Sequence, residues 1–341
     1  MSLNDFVFNR DEFLEKYNCS KYNVDIIPTS ERRNILVGVL YITLGTLCEM
    51  VYLPCLWAIY QQIKLSRFST CYVFMFYLGV LDTIGLFCSG FVCGIFSIKG
   101  IVFCQIPIFG FLGANIGMYI WFGANTTTLI LAINRCMVIY DDDLADRFFK
   151  GRRGTMWLII PTFVALICMW VSPPVFYNPM DSSAVFNPHR YYLPNERFFH
   201  SAAHVAYNWI IVLAIPTIYI VFAVFFANRL RSRGMMAVRG NRKLAREFST
   251  FLQVLITSFF VMSTSLGFIY QEYLQSFPIF VFVGYIMYEG SPAFIYLCMN
   301  QSIRNTLRAK TNRIYSTSNF IGSNIPPARD DNTHRSEGIG Q

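Results

Sequence analysis

Apolar residues along this chain gather into seven blocks of about 22 to 30 residues, parted by short polar stretches rich in Arg, Asn, Asp and Pro. An α-helix rises about 1.5 Å per residue and a bilayer core is roughly 30 Å thick, so about 20 apolar residues cross it. The blocks predict membrane-spanning helices at 35–60, 71–98, 107–137, 155–176, 204–227, 248–270 and 278–299. The fold class that follows is all-α, a seven-transmembrane helix bundle over 35–299. A segment 1–34 precedes it, a short amphipathic helix at 300–310 follows it, and a polar, disordered tail occupies 311–341. In the short helix Ile303 and Leu307 stand four apart beside Arg304 and Arg308, a pattern suited to a membrane surface.

Composition agrees, with 54% hydrophobic and only 14% charged residues, far from the soluble mean. The placement of charge sets the orientation. Of the 28 Lys and Arg, eight fall before span one and after spans two, four and six. The other twenty fall on the opposite side, counting Arg135 at the end of span three. Cytoplasmic loops are enriched in Lys and Arg, so the N-terminus is expected outside and the C-terminus in the cytoplasm. The net charge of +8 is therefore a topology signal. No nucleic-acid partner is expected, because no basic patch is interleaved with aromatics on a soluble surface. Residues 1–34 hold no apolar core, so no cleavable signal is expected and span one directs insertion.

Most of the ten cysteines lie in spans, where they behave as small apolar residues. Cys19 and Cys104 fall instead on the expected outer, oxidising side and are candidates for one disulfide, with Cys93 the rival partner. Asn18-Cys19-Ser20 makes Asn18 a candidate glycosylation site on that same face. No cofactor is expected, and no metal site: His189 and His200 are too far apart and too poor in neighbouring ligands.

Some polar groups are buried at a cost. Asp82 sits mid-span, where an acid costs on the order of 2.5 to 3.5 kcal/mol to insert, so it must face the bundle interior. Glu49 in span one and Glu289 in span seven are similarly placed, and three carboxylates sharing one core call for a proton or a cation. Arg135, after Asn134, falls where span three leaves the membrane on the cytoplasmic side. An arginine there is read either as an anchor that snorkels to the cytoplasmic surface or as a switch that pairs within the bundle when the inner face is closed, with Glu247 at the start of span six the nearest acid suitably placed. Span seven carries Ser291, Pro292 and Tyr296; a proline inside a span removes a backbone hydrogen bond and kinks the helix.

Seven spans, an Asp in span two, Asn134-Arg135-Cys136 ending span three and Ser291-Pro292 in span seven resemble a G-protein-coupled receptor. More narrowly, Tyr17-Asn18-Cys19-Ser20, Leu53-Pro54-Cys55-Leu56, the run from Met75 to Asp82, Phe103-Cys104-Gln105-Ile106-Pro107 and Ala132-Ile133-Asn134-Arg135-Cys136 are similar to the nematode serpentine chemoreceptors, class T. The resemblance implies a sensory receptor, not an enzyme, in the plasma membrane of sensory neurons. It would bind a small extracellular odorant or metabolite and activate a heterotrimeric G protein. Switch and coupling residues carried over are Arg135, Asn134, Glu247, Asp82, Ser291, Pro292 and Tyr296.

Departures from the rhodopsin-like pattern qualify that. Asn134 replaces the acid before the arginine, Tyr296 follows Pro292 by four residues instead of three, and span six has no proline. The loop after span four has no cysteine, which points Cys104 toward Cys19. Ligand-pocket candidates in the outer halves of the spans are Asn115, Tyr119, Trp121, Tyr207, Asn208 and Tyr270, a few polar and aromatic groups of the kind small-molecule sites use. The loop 178–203 is expected to cover the cavity as a lid, and the basic stretches at 228–233 and 239–246 to meet anionic lipid and the G protein. Two other classes compete. A transporter would relay protons or cations through Asp82, Glu49 and Glu289, but paired discontinuous helices in two similar halves are not evident. A metal-dependent enzyme would need clustered His and acids, and only four histidines exist.

Overall fold

The structure is a computed structural model and describes residues 3–66, 69–193, 199–233, 242–270 and 278–322. Among these residues, seven stretches of helix are long and apolar enough to cross a membrane. Span one is Ile35–Leu65, capped where the Asn34 side chain accepts from the Val37 amide at 3.2 Å. Span two begins as Thr70–Leu86, loosens into a π turn at Phe87–Val92 and ends as Cys93–Lys99. Gly100, at φ +67°, closes it in a left-handed conformation that glycine takes at no steric cost. Span three is the long central helix Pro107–Tyr140, with proline at its start where a missing N–H is harmless.

Span four is shorter than the 155–176 expected. A turn of helix at Arg152–Met156 leads into Ile159–Val171 and stops there. Pro173 and Pro174 follow, and a residue before proline is driven out of the helical region; Ser172 is extended at ψ 138°. Phe176 therefore belongs to a strand. β1 (Phe176–Asn178) pairs antiparallel with β2 (Ser183–Val185) in the register Phe176↔Val185, so a hairpin is added to the helical bundle. Spans five, six and seven are Ala202–Arg233, Arg242–Tyr270 and Pro278–Met299. The helix after span seven runs Gln301–Gly322, past the bound of residue 310, with no proline before Pro326 to end it. Its first turns pack on span one: Ile303 is fully buried, and Gln62 donates to Thr306 at 2.6 Å.

Spans one and two touch backbone to backbone. A Cβ built on Gly90 would stand 2.8 Å from the Gly45 Cα, which no side chain tolerates; small residues permit such an approach in membranes. Span three runs through the middle, with most of its second half buried. The two ends of the bundle differ. At the disulfide end the N-terminal helices Leu3–Phe8 and Arg10–Lys16, the hairpin and the following loop form a cap. At the tail end lie Arg135 and the helix Gln301–Gly322.

Cys19 and Cys104 are joined as a disulfide, which ties the N-terminal segment to the start of span three. Beside it Tyr17 packs among Phe13, Phe103, Phe111, Phe176 and Phe199. His189 Nε2 donates to the Lys16 carbonyl at 2.9 Å, and its Nδ1 accepts from the Tyr22 hydroxyl at 2.7 Å. Burial lowers the His189 pKa below its ordinary 6.5, so the ring is held neutral. The hairpin is pinned from below, where the Tyr41 hydroxyl donates to the Ser182 carbonyl at 2.5 Å.

Candidate functional site

Under the cap lies a cavity of about 430 Å³. Span three supplies one wall with Gly110, Gly113, Gly117 and Trp121, which are spaced three or four apart and so share one helical face. Span two supplies another with Phe87, Cys88, Ser89 and Cys93. The π turn matters here, because its extra residue rotates the helix beyond it relative to the turns before. Phe103, Phe176 and Phe186 close the cap side, while His204, Phe268 and Tyr285 come from spans five, six and seven.

Trp121 anchors this wall. Its ring stands 5.2 Å from that of Phe268, 5.9 Å from Tyr285 and 5.4 Å from Tyr288. Its Nε1–H donates to Asn208 Oδ1 at 3.1 Å, and Asn208 Nδ2 lies 3.2 Å from His204 Nδ1. Of the six pocket candidates, Trp121 lines the cavity and Asn208 backs it. The other four stand elsewhere. Asn115 is buried on another face of span three and donates to its own helix at Phe111. Tyr119 faces Tyr77 at 3.3 Å, Tyr207 bonds Thr126 and the Phe122 carbonyl, and Tyr270 is exposed at the end of span six. Between Asn115 and Trp121 the helix turns six residues, about 240° of net rotation at 100° per residue, so the two cannot share a face. His204 and the glycine face were missed, although the spacing of Gly110, Gly113, Gly117 and Trp121 was visible.

A polar core lies below. Ser89, on the cavity floor, donates to Glu289 Oε2 at 2.7 Å, and Glu289 is fully buried behind Gly85. A side chain at Gly85 would collide with that carboxylate. Tyr52 donates to Asp82 Oδ2 at 2.5 Å, and Tyr288 donates to Asn125 at 3.0 Å. Asp82 and Glu289 are buried on spans two and seven, and Glu49 is half-buried on span one. Among the described residues, no three His, Cys, Asp or Glu side chains converge as a metal site.

Toward the tail end, Ser291 donates back to the Tyr288 carbonyl at 3.2 Å just before Pro292, and Tyr296 is buried one turn on. Arg135 Nε donates to the side chain of its neighbour Asn134 at 3.1 Å. Glu247 lies on the helix Arg242–Tyr270, but its side chain falls outside the described residues. Asn18 caps the turn at Cys19–Lys21, its Oδ1 accepting from the Ser20 amide at 2.8 Å.

The crystal structure of squid rhodopsin superposes with a TM-score of 0.56, over 85% of this chain and 93% of that one, at 14% identity. At that identity the likeness concerns the fold, a rhodopsin-like bundle. No curated protein matches the sequence significantly. The family described as serpentine type 7TM GPCR chemoreceptor Srt matches residues 1–318. With nearly the whole chain matched and the bundle built as a receptor bundle is, this multi-pass membrane protein belongs to the serpentine seven-transmembrane chemoreceptor family Srt.

Proposed function

We propose that the protein is a chemosensory G-protein-coupled receptor in the plasma membrane of sensory neurons. Its N-terminus lies outside, its C-terminus in the cytoplasm, and it catalyses no reaction. A small odorant or metabolite occupies the cavity beneath the disulfide-tied cap. A heterotrimeric G protein engages the other end, around Arg135 and the basic segments flanking spans five and six. The observation that carries this reading is the capped cavity at one end and Arg135 at the other, joined by a buried polar column on spans one, two, three and seven. Family membership and the rhodopsin-like fold support the receptor role.

A ligand against Trp121 shifts the Tyr288 ring packed on it, and Tyr288 holds Asn125 by a hydrogen bond. Pro292, one turn on inside span seven, removes a backbone hydrogen bond there, so a change at Tyr288 is passed to the segment carrying Tyr296. Asp82, held by Tyr52, fixes the inner half of span two against span one. Asn134 holds Arg135 along span three, and release of Arg135 opens the G-protein face.

Cells expressing the chain with a C-terminal fluorescent tag test both orientation and coupling. The expected results are a tag quenched only from the cytosol, a glycan at Asn18, and second-messenger responses to volatile probes that vanish in Arg135→Ala at equal surface level. Both termini on one side, or responses unchanged in Arg135→Ala, would defeat the proposal.

A further inference from the structure

The cavity's own walls narrow what it can take. None of its lining side chains carries a formal charge, and most are aromatic or aliphatic. An ion placed there exchanges water for rings, a cost that no lining group offsets. Glu289 is near but does not line the space, being fully buried behind Gly85 and Ser89.

The wall between spans two and three is one side chain thick. Phe87, Phe109, Leu112 and Ile116 line the cavity and are also 58%, 58%, 48% and 47% exposed on the bundle's outer surface. In a bilayer that surface meets acyl chains, so molecules dissolved in lipid stand next to the site. Gly113 and Gly117 leave the inside of this wall open; a Cβ built on either meets nothing within 4 Å. At about 30 Å³ per water-sized group, the volume of about 430 Å³ holds on the order of 14 non-hydrogen atoms.

Of the polar groups that line the space, Ser89 and Tyr285 bond Glu289 and the Tyr177 hydroxyl is buried within the wall; His204 is left, and its polarity can be worked out. Indole nitrogen only donates, so Trp121 Nε1–H fixes Asn208 Oδ1 as the acceptor and turns the Asn208 NH₂ toward His204. An amide NH₂ only donates, so His204 Nδ1 accepts and carries no proton. The ring proton therefore sits on Nε2. His204 is 4% exposed and lines the cavity, and Nε2 has no hydrogen-bond partner among the described residues.

We propose that the cavity takes an uncharged, mostly apolar molecule of this size bearing one hydrogen-bond acceptor, such as a ketone or ester oxygen, which accepts from His204 Nε2–H. The inference rests on the receptor reading for the place of the ligand, but its test needs no G protein.

The full chain, purified in detergent, is titrated with 2-nonanone, nonane, nonylammonium and nonanoate, and apparent Kd is taken from the shift in thermal unfolding. One net hydrogen bond predicts 2-nonanone binding roughly five-fold tighter than nonane, with neither ion saturating. His204→Phe should reduce the ketone to the level of the alkane. His204→Gln, whose amide carries a donor near the same point, should keep the preference. Gly113→Leu, which fills the open face, should abolish the shift by both neutral probes. Either ion binding more tightly than the ketone, ketone and alkane binding alike to the wild type, or no probe binding would each overturn the proposal. The ranking in wild type decides the matter even if His204→Phe fails to fold. Receptor function is judged separately, by nucleotide exchange on a G protein.

Discussion

Tyr17 offers a sharp test of how the cap is held, because two substitutions at one position should act in opposite directions. Its side chain is 5% exposed and meets five phenylalanine rings at centroid distances of 4.8 to 6.0 Å. Removing a buried aromatic ring costs about 3 to 5 kcal/mol. The disulfide still tethers the segment, so the lower end applies, and about 3 kcal/mol corresponds to more than a hundred-fold in an opening equilibrium. The hydroxyl, by contrast, is buried with no hydrogen-bond partner among the described residues, and burial drives its pKa well above the ordinary 10. A buried, unsatisfied group costs about 1 to 3 kcal/mol. Tyr17→Phe should therefore tighten the cap by about 1 kcal/mol, roughly five-fold. Amide hydrogen exchange over residues 10–21 reads both effects, with protection falling more than a hundred-fold in Tyr17→Ala and rising a few-fold in Tyr17→Phe. Equal loss of protection in the two variants would refute the argument, since it would mean that the hydroxyl, not the ring, fastens the cap.

Three further outcomes follow from the structure. His189 is neutral in the closed cap because burial lowers its pKa below 6.5. The detached cap thus binds the extra proton more readily, and closure should be complete above about pH 6.5 and weaken as pH falls below it; exchange in the cap measured from pH 7.5 to 5 should show this in wild type and lose it in His189→Phe. Gly90→Leu forces a side chain into the Gly45 backbone and should cost at least 1 to 3 kcal/mol, lowering the unfolding temperature in detergent; unchanged stability would mean that spans one and two do not pack as described. A double-mutant cycle of Tyr52→Phe with Asp82→Ala should give a coupling of about 1 kcal/mol for their 2.5 Å bond, and a coupling near zero in thermal unfolding would remove Asp82 from the polar core.

The seven helices were legible because hydrophobic length is a direct consequence of bilayer thickness. Span seven starts and stops where the pattern placed it, at Pro278 and Met299, and span three begins at Pro107 as expected. The end of span four was misplaced because Val175 and Phe176 are apolar for a different reason: they sit over the cavity as part of the cap. The rotation of each helix was far less legible. In water the buried face of a helix is its apolar face, but in lipid both faces are apolar and the periodic signal fades. That is why polar residues such as Asn115 and Tyr119 stand out in the sequence, while the cavity wall of span three is built from glycine and apolar residues such as Gly113, Gly117, Leu112 and Ile116. The π turn in span two left no mark, since Phe87 to Val92 differ little in hydropathy from their neighbours. Cys19 and Cys104, by contrast, were readable as a pair of polar-side cysteines and are bonded in the structure.

The central claim is that occupancy of the capped cavity is transmitted to a G protein at the opposite end. Nucleotide exchange tests this most directly, using the purified full chain in lipid nanodiscs with a panel of heterotrimers and 2-nonanone as the cavity probe. Exchange on at least one heterotrimer should accelerate with probe in the wild type. Gly113→Leu should lose the dependence on probe, and Arg135→Ala should lose exchange altogether. Exchange that is absent for every heterotrimer, or that proceeds equally in Arg135→Ala, would contradict the account.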